Sequence, residues 1–175
     1  MSFKERLHSA HRAKDLSNRF NGTTQVDFLA ASAIAERGNL IGSLAFRAVE
    51  SDHAAQQLHS MFSKTIISRA RAKYWHIKKR EDLEAFTTAV ISYWLNPECQ
   101  HCAGRGVQTL GQILKNECEL CTGTGKRPYP KPLDIGLDGI VREDKFHSYV
   151  QFALNCLDAR SWGYVFSTRR NLGRR

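Results

Sequence analysis

The chain has 175 residues, 42% of them hydrophobic, and its 26 lysines and arginines outnumber 17 aspartates and glutamates to give a net charge of +9. This length fits one domain with an inserted module, or one and a half small domains, and the excess of cations favours a polyanionic partner. Since no apolar run approaches the ~20 residues that span a bilayer, and the first residues lack the apolar stretch of a signal peptide, we expect a cytoplasmic protein with no membrane partner.

Helical periodicity marks the first half of the chain. A weak, charge-rich helix is predicted over residues 3–20, and a second helix over residues 24–39, where a Gly-Asn pair predicts its end. The small residues of segment 40–49 favour close helix packing. Ser51 then predicts the N-cap of a long helix over residues 52–74, in which apolar residues recur at spacings of three and four.

The second half alternates helices with irregular segments. A basic, aromatic connector over residues 73–80 leads to a helix that is predicted to end before Pro97. Residues 107–117 fit either a hairpin or a helical turn, and three closely spaced prolines then form a stiff connector. A final helix is predicted over residues 144–158, and the aromatic residues within 162–166 are expected to pack back on the helices.

Two copies of one pattern, CxxCxGxG, occupy residues 99–106 and 118–125. A thiolate pair two residues apart can hold one metal ion from a tight turn, and the glycines that follow permit the positive φ that turns N–H groups toward the sulfurs. The fifteen residues between the two pairs fall within the spacing of four-cysteine zinc sites. We therefore predict one Zn²⁺ ion, bound by Cys99, Cys102, Cys118 and Cys121.

Other uses of these cysteines are open to the sequence. They could be ordinary buried thiols, a disulfide pair or a CxxC redox centre, although neither copy lies in the βαβ unit of thioredoxin-like proteins. The fifth cysteine, Cys156, lies on an apolar helical face and is interpreted as a core residue. His101 falls inside the first copy, but four thiolates complete the metal shell, so we expect it to face solvent or phosphate.

The predicted fold is mainly α: a helical bundle with an inserted four-cysteine zinc finger of two CxxCxGxG knuckles. We divide the chain into an N-terminal arm or helix (residues 1–23), a helical domain (24–97), the zinc finger (98–127) and a C-terminal helical segment with a basic tail (128–175).

Positive charge is concentrated in three places: the middle of the chain, the residues just after the second cysteine pair, and the residues after 166. Seven cations and no acid occur over residues 64–80, and four arginines follow residue 166. Such clusters favour phosphate contacts through counterion release, although a solvated surface is the plainer interpretation. The candidate nucleic-acid-binding residues are Arg69, Arg71, Lys73, Lys78, Lys79, Arg80, Arg105, Lys126, Arg127 and Lys131.

No catalytic pattern emerges from the sequence. The seven histidines are scattered, and the motifs GxxxxGK[ST] and GxSxG do not occur, nor does a GxGxxG between a strand and a helix. We therefore expect a binding protein with no catalytic activity and no small-molecule substrate.

The order of these features resembles that of a known family. An Ala-rich segment (residues 29–48), a long helix behind Ser51, and a helix that ends at the first cysteine pair precede the two-knuckle finger. The finger is followed by Lys-Arg-Pro-Tyr (126–129) and by a closing helix with a single cysteine, Cys156. Over about residues 24–160 the chain resembles the lambda-type antitermination protein Q family of lambdoid phages.

This resemblance implies a transcription regulator. Members bind a duplex DNA element inside a phage late promoter, engage the paused bacterial RNA polymerase holoenzyme, core and sigma, and travel with it past terminators. It also implies a location in the host bacterial cytoplasm, at the nucleoid.

Two alternative functions stay open. A zinc-stabilised RNA-binding regulator would stack unpaired bases on Tyr74 and Trp75 of the connector. A zinc chaperone module similar to the cysteine-rich region of DnaJ-type chaperones, or a thiol-exchange protein, would use the CxxC pairs directly, but the His-Pro-Asp loop and Gly/Phe-rich linker of DnaJ are missing.

Overall fold

A computed structural model describes residues 19–20, 23–110 and 114–173. It is mainly helical, as the sequence predicts. The predicted helix over residues 3–20 lies outside the described residues except at its last two positions, which form a short strand. The elements are β1 (Arg19–Phe20), β2 (Thr23–Thr24), α1 (Gln25–Gly38), α2 (Leu40–Arg47), α3 (Asp52–Ala72), α4 (Arg80–Leu95), β3 (Val107–Leu110), β4 (Leu114–Glu117), a 3₁₀ turn (Pro132–Ile135) and α5 (Glu143–Leu172).

The fold divides into two compact units. One comprises the residues up to Lys64 together with those from Asn155 on, and the other is Thr65–Leu154. Helices α3 and α5 therefore each contribute residues to both units. The consecutive segments predicted from the sequence do not follow this division, and their boundaries remain predictions.

The first unit has an aromatic core. Its buried cluster consists of side chains from α1, α2 and the second half of α5: Phe28, Ala35, Phe46, Tyr164 and Val165. The ring centroids of Phe46 and Tyr164 are 5.6 Å apart. Aromatic side chains bury large apolar areas, so this pair contributes to the core of the first unit.

The close packing predicted for segment 40–49 is found where α2 meets α5. Asn39 begins α2, and its Oδ1 accepts a hydrogen bond from the N–H of Gly42 at 3.0 Å. Its Nδ2 donates to the carbonyl oxygen of Arg160 in α5 at 2.6 Å. A Cβ atom on Gly42 would lie 2.2 Å from that same oxygen, so only glycine fits at this position.

Helix α3 begins as the sequence predicts, since the Ser51 hydroxyl accepts a hydrogen bond from the N–H of Ala54 at 3.3 Å. It ends at Ala72, two residues before the predicted end, because Tyr74 takes a left-handed conformation with φ 52°. Helix α4 ends at Leu95, before Pro97, as expected.

The core of the second unit surrounds Trp75, which is 5% exposed. Its ring stacks on Tyr149 with centroids 4.1 Å apart and planes 6° apart, and it meets the edges of Phe86 and Phe152. The connector after α3 is therefore anchored in the core through one of its two aromatic residues.

The last helix is longer than the prediction of residues 144–158. Helix α5 continues to Leu172 because Tyr164 and Val165 extend its buried face past Gly163. The aromatic end packs back only in part, since Trp162 and Phe166 are 57% and 62% exposed. Cys156 is half-buried rather than fully buried.

Between the cysteine pairs, the sequence left open a hairpin or a helical turn. The structure has antiparallel strands there, with Val107 opposite Glu117 and Leu110 opposite Leu114. Among the described residues, no helix is both long enough and apolar enough to cross a membrane.

Candidate metal centre and basic segment

Four cysteine sulfurs form a buried cluster at the base of the β3–β4 hairpin. The ligand atoms of Cys99, Cys102, Cys118 and Cys121 all lie within 4.8 Å of one another, and each residue is at most 4% exposed. The Sγ–Sγ distance is 3.8 Å between Cys99 and Cys118 and 3.7 Å between Cys102 and Cys121. A disulfide bond is about 2.05 Å long, so these are free thiols placed as a set that could hold one metal ion.

Each knuckle turns its backbone toward its own second cysteine, as the glycine pattern predicts. The N–H of Gly106 points at the Sγ of Cys102 at 3.2 Å, and the N–H of Gly125 points at the Sγ of Cys121 at 3.3 Å. All four motif glycines have φ between 71° and 80°. These N–H groups stabilise thiolate charge, which is what a metal ligand requires.

The two knuckles also hold each other through their backbones. The N–H of Cys99 donates to the carbonyl of Gly125 at 2.8 Å, and the N–H of Cys118 donates to the carbonyl of Gly106 at 2.9 Å. A Cβ on Gly106 would lie 2.2 Å from the carbonyl oxygen of Gly123, and a Cβ on Gly125 would lie 2.3 Å from that of Gly104. The second glycine of each motif is therefore required for spacing between the knuckles as well as for its φ.

Burial and hydrogen bonding shift the pKa values of the Cys102 and Cys121 thiols in opposite directions. Burial raises the pKa of Cys102, but the N–H of Gly106 and the other three thiols outweigh it and lower this pKa to about 7. At Cys121 burial also raises the pKa, the other thiols add to it, and the value reaches about 11 although the N–H of Gly125 opposes it. Because a metal ion binds thiolates, its binding must release the protons that remain.

The other sequence candidates for the metal shell lie outside this cluster. His101 is exposed, as expected, and Cys156 is not among the clustered sulfurs. The chemistry available here is that of a closed four-sulfur site, which leaves no ligand position for a substrate.

The finger is joined to α4 by a short neck. The N–H of Arg127 donates to the carbonyl of Pro97 at 3.0 Å, and Glu98 pairs with Lys126 in a single antiparallel bridge. The guanidinium of Arg127 lies 5.2 Å from the centroid of the Tyr93 ring in α4. The finger is thus fixed to the end of the helix that precedes it.

Five of the ten predicted nucleic-acid-binding cations have partners within the chain. Besides Arg127, the guanidinium of Arg69 lies 4.4 Å from the Phe152 ring centroid, and Arg80 pairs with Glu84 at 2.8 Å. Arg105 donates through its Nε to the carbonyl of its own knuckle residue Cys102, and Lys131 lies 3.8 Å from Glu143. The sequence could not reveal the pairings of Arg69, Arg127 and Lys131, because these depend on tertiary contacts.

The other five cations have side chains that no ion pair, hydrogen bond or ring contact engages within the part of the chain that the structure describes. They are Arg71, Lys73, Lys78, Lys79 and Lys126. The first four fall within residues 71–80, which we call the basic segment. All four are exposed.

The aromatic pair of the basic segment separates into one core residue and one surface residue. Trp75 is buried, so its expected role in stacking on unpaired bases is wrong. Tyr74, by contrast, is 83% exposed. The turn also borders a cleft of about 250 Å³, which the sequence did not indicate.

No protein-family model matches the chain, and no curated protein matches it.

Proposed function

We propose that the chain is a zinc-dependent, nucleic-acid-binding transcription antitermination factor. In this proposal it binds phage late-promoter DNA, loads onto paused bacterial RNA polymerase and makes the enzyme read through terminators. It works in the host cytoplasm by binding alone and catalyses no reaction.

The observation that carries the proposal is the geometry of the sulfur cluster. A tetrahedral zinc site with Zn–S bonds of about 2.3 Å separates its sulfurs by about 3.8 Å. The two Sγ–Sγ distances of 3.7 and 3.8 Å fit that value. Four buried thiols with N–H groups aimed at two of them favour zinc in a structural role, since all four ligand positions are filled by protein.

The unpartnered cations support nucleic acid as the ligand. Cations without partners among the described residues are available to displace the counterions of a phosphate backbone, and four of the five predicted ones of this kind fall within the basic segment. Lys126 lies at the edge of the finger, so the metal site would hold at least one further phosphate contact in place. Phosphate contacts of this kind position a protein on DNA without reading its sequence.

The antitermination role itself rests on the resemblance in the order of elements. That order is the sequence order of the Ala-rich segment, the long helix behind Ser51, the helix before the first cysteine pair, the two knuckles and the closing helix, over about residues 24–160. Contacts with RNA polymerase, core or sigma, belong to this part of the proposal.

The first experiment tests metal and DNA together. Elemental analysis of purified, reduced protein should find one zinc per chain, and Cys99→Ser or Cys121→Ser should release the metal and abolish binding to a duplex of the late promoter. Fluorescence anisotropy measures that binding. Full DNA affinity in either variant, or protein without a bound transition metal, would contradict the proposal.

The second experiment separates phosphate contacts from structural cations. Lys79→Ala should weaken binding to all duplexes evenly and flatten the salt slope by about one unit. Lys145→Ala removes an equal charge from α5, outside the basic segment, and should leave the slope unchanged. In vitro transcription from the late promoter through a terminator, with and without the protein, then tests antitermination directly.

A further inference from the structure

The turn after α3 has the hydrogen bonds of a helix C-cap that usually contains glycine. The N–H of Trp75 donates to the carbonyl of Ala70 at 2.9 Å, and the N–H of Tyr74 donates to the carbonyl of Arg71 at 3.4 Å. In this arrangement the left-handed residue is most often glycine, because a Cβ is disfavoured there. Here the position is occupied by Tyr74, a bulky residue with φ 52°.

The strained tyrosine has no packing role that would explain it, since its residue surface is 83% exposed. A large aromatic residue at a strained and exposed position is an observation that calls for a functional explanation.

The backbone on either side of Tyr74 is firmly held. Trp75 is stacked in the core, and the His76 ring Nδ1 lies 2.9 Å from the hydroxyl oxygen of Tyr149, whose oxygen also accepts from the N–H of His76 at 3.4 Å. Ile77 is 1% exposed. The exposed ring is therefore presented by a rigid turn, so that little entropy would be lost when a ligand binds to it.

A cleft of about 250 Å³ lies between the end of α3 and the start of α4, and residues on both sides of the turn line it, although Tyr74 itself does not. Two lining residues, Ala70 and Arg71, supply the carbonyls that accept the N–H groups of Trp75 and Tyr74. The apolar lining residues are Ile67, Ala70, Ile77 and Leu83, and the cationic ones are Arg71, Lys78 and Arg80.

We propose that Tyr74 and this cleft form a subsite for an unpaired nucleobase. The proposal rests on the nucleic-acid binding argued above. An apolar floor and an exposed aromatic ring suit a flat, weakly solvated base, while the surrounding cations suit the phosphates on either side of it. In a duplex both faces of each base are covered by the adjacent base pairs, so a fully paired duplex offers no free base face to this subsite.

The test compares probes that differ only in their unpaired bases. Anisotropy titrations use a mixed-sequence DNA duplex, the same duplex with a few central mismatches, the mismatched duplex with abasic sites at those positions, and single-stranded RNA. The wild-type protein should bind the mismatched duplex or the RNA more tightly than the paired or abasic duplex. Comparing its affinities for the mismatched duplex and for the RNA shows whether DNA or RNA supplies the unpaired base.

Substitutions at Tyr74 then identify the ring as the cause. Tyr74→Gly should unfold at a higher temperature, because glycine relieves the strained φ, yet bind the unpaired probes about 5- to 150-fold more weakly. Tyr74→Phe keeps the ring and should keep the preference. Lys79→Ala should weaken all probes alike.

The outcomes separate this inference from the proposed function. If Tyr74→Gly binds unpaired probes as tightly as the wild type, or if the wild type prefers no unpaired probe over the paired duplex, the subsite does not exist, although duplex binding still stands. If the wild type binds no nucleic acid at all, the proposed function fails together with the subsite.

Discussion

The interlocking of the two knuckles makes one glycine far more sensitive to substitution than its neighbour in the same motif. Gly104 and Gly106 have almost the same backbone conformation, with φ 75° and 73°. A Cβ on Gly104 would meet only the Glu98 side chain, at 3.4 Å, whereas a Cβ on Gly106 would lie 2.2 Å from the carbonyl oxygen of Gly123. The variants Gly104→Ala and Gly106→Ala therefore differ in packing and not in φ.

The magnitudes follow from these two contributions. A non-glycine residue in the left-handed region costs about 1–2 kcal/mol, which is the whole of the effect expected for Gly104→Ala. Gly106→Ala adds an overpacking of about 1–3 kcal/mol against backbone that cannot rotate away, for a total of about 2–5 kcal/mol. Because small zinc modules fold as they bind metal, these costs should reduce the metal affinity of the proposed site, by about 5- to 30-fold at Gly104 and about 30- to 5,000-fold at Gly106.

Metal affinity is measured by competition with a chelator, using the visible absorption of cobalt(II) in the thiolate site as the signal. The second knuckle allows the same comparison. A Cβ on Gly125 would lie 2.3 Å from the carbonyl oxygen of Gly104, whereas a Cβ on Gly123 would lie 3.6 Å from its nearest neighbour. Equal affinities for Gly104→Ala and Gly106→Ala would show that the knuckles do not approach each other as described, and the argument for one shared ion would lose its basis.

Two further pairs of substitutions test the helical units by chemical denaturation. Trp75→Ala removes the stacked ring at the centre of its core and should lower the free energy of unfolding by about 3–5 kcal/mol, whereas Tyr74→Ala at the exposed neighbouring position should change it by less than about 1 kcal/mol. Gly42→Ala drives a methyl group into the Arg160 carbonyl and should destabilise the protein by about 1–3 kcal/mol, whereas Gly163→Ala meets its nearest neighbour only at 3.4 Å and should be neutral or stabilising by up to about 1 kcal/mol. Equal losses within either pair would refute the packing described here.

The sulfur cluster could be predicted from the sequence because its determinants are local. Each CxxC pair and the glycine four residues after its second cysteine form a turn whose φ values and N–H···S hydrogen bonds follow from neighbouring residues. The exchange of backbone hydrogen bonds between the knuckles could not be predicted, because it joins Cys99 to Gly125 across 26 positions of sequence. The hairpin between the cysteine pairs stayed ambiguous for the same reason, since a short apolar segment fits either a strand or a helical turn until its partner is known.

The end of α3 and the basic segment that follows it contain residues whose roles cannot be read from composition. Arg69 and Arg71 differ by two positions, so they face different sides of α3, and only the fold shows that Arg69 lies over the Phe152 ring. Tyr74 and Trp75 have similar chemistry and adjacent positions. The left-handed turn at Tyr74 decides which of the two is buried. A turn of this kind is usually predicted from a glycine, but the residue at this position is a tyrosine.

Metal removal should unfold the finger and leave the rest of the second unit folded. Among the described side chains of residues 98–126, the buried ones are the four cysteines, so a bound metal would take the place of an apolar core there. The ring contacts of Trp75 are with Phe86 of α4 and with Tyr149 and Phe152 of α5, and none of these residues belongs to the finger. Chelation should therefore leave the far-UV circular dichroism of the helices nearly intact while it abolishes the proposed DNA binding, because that proposal makes the folded finger part of the DNA-binding surface. Loss of the helical signal on chelation would mean that the metal organises the whole second unit, and the expectation that the helices fold independently of the finger would be wrong.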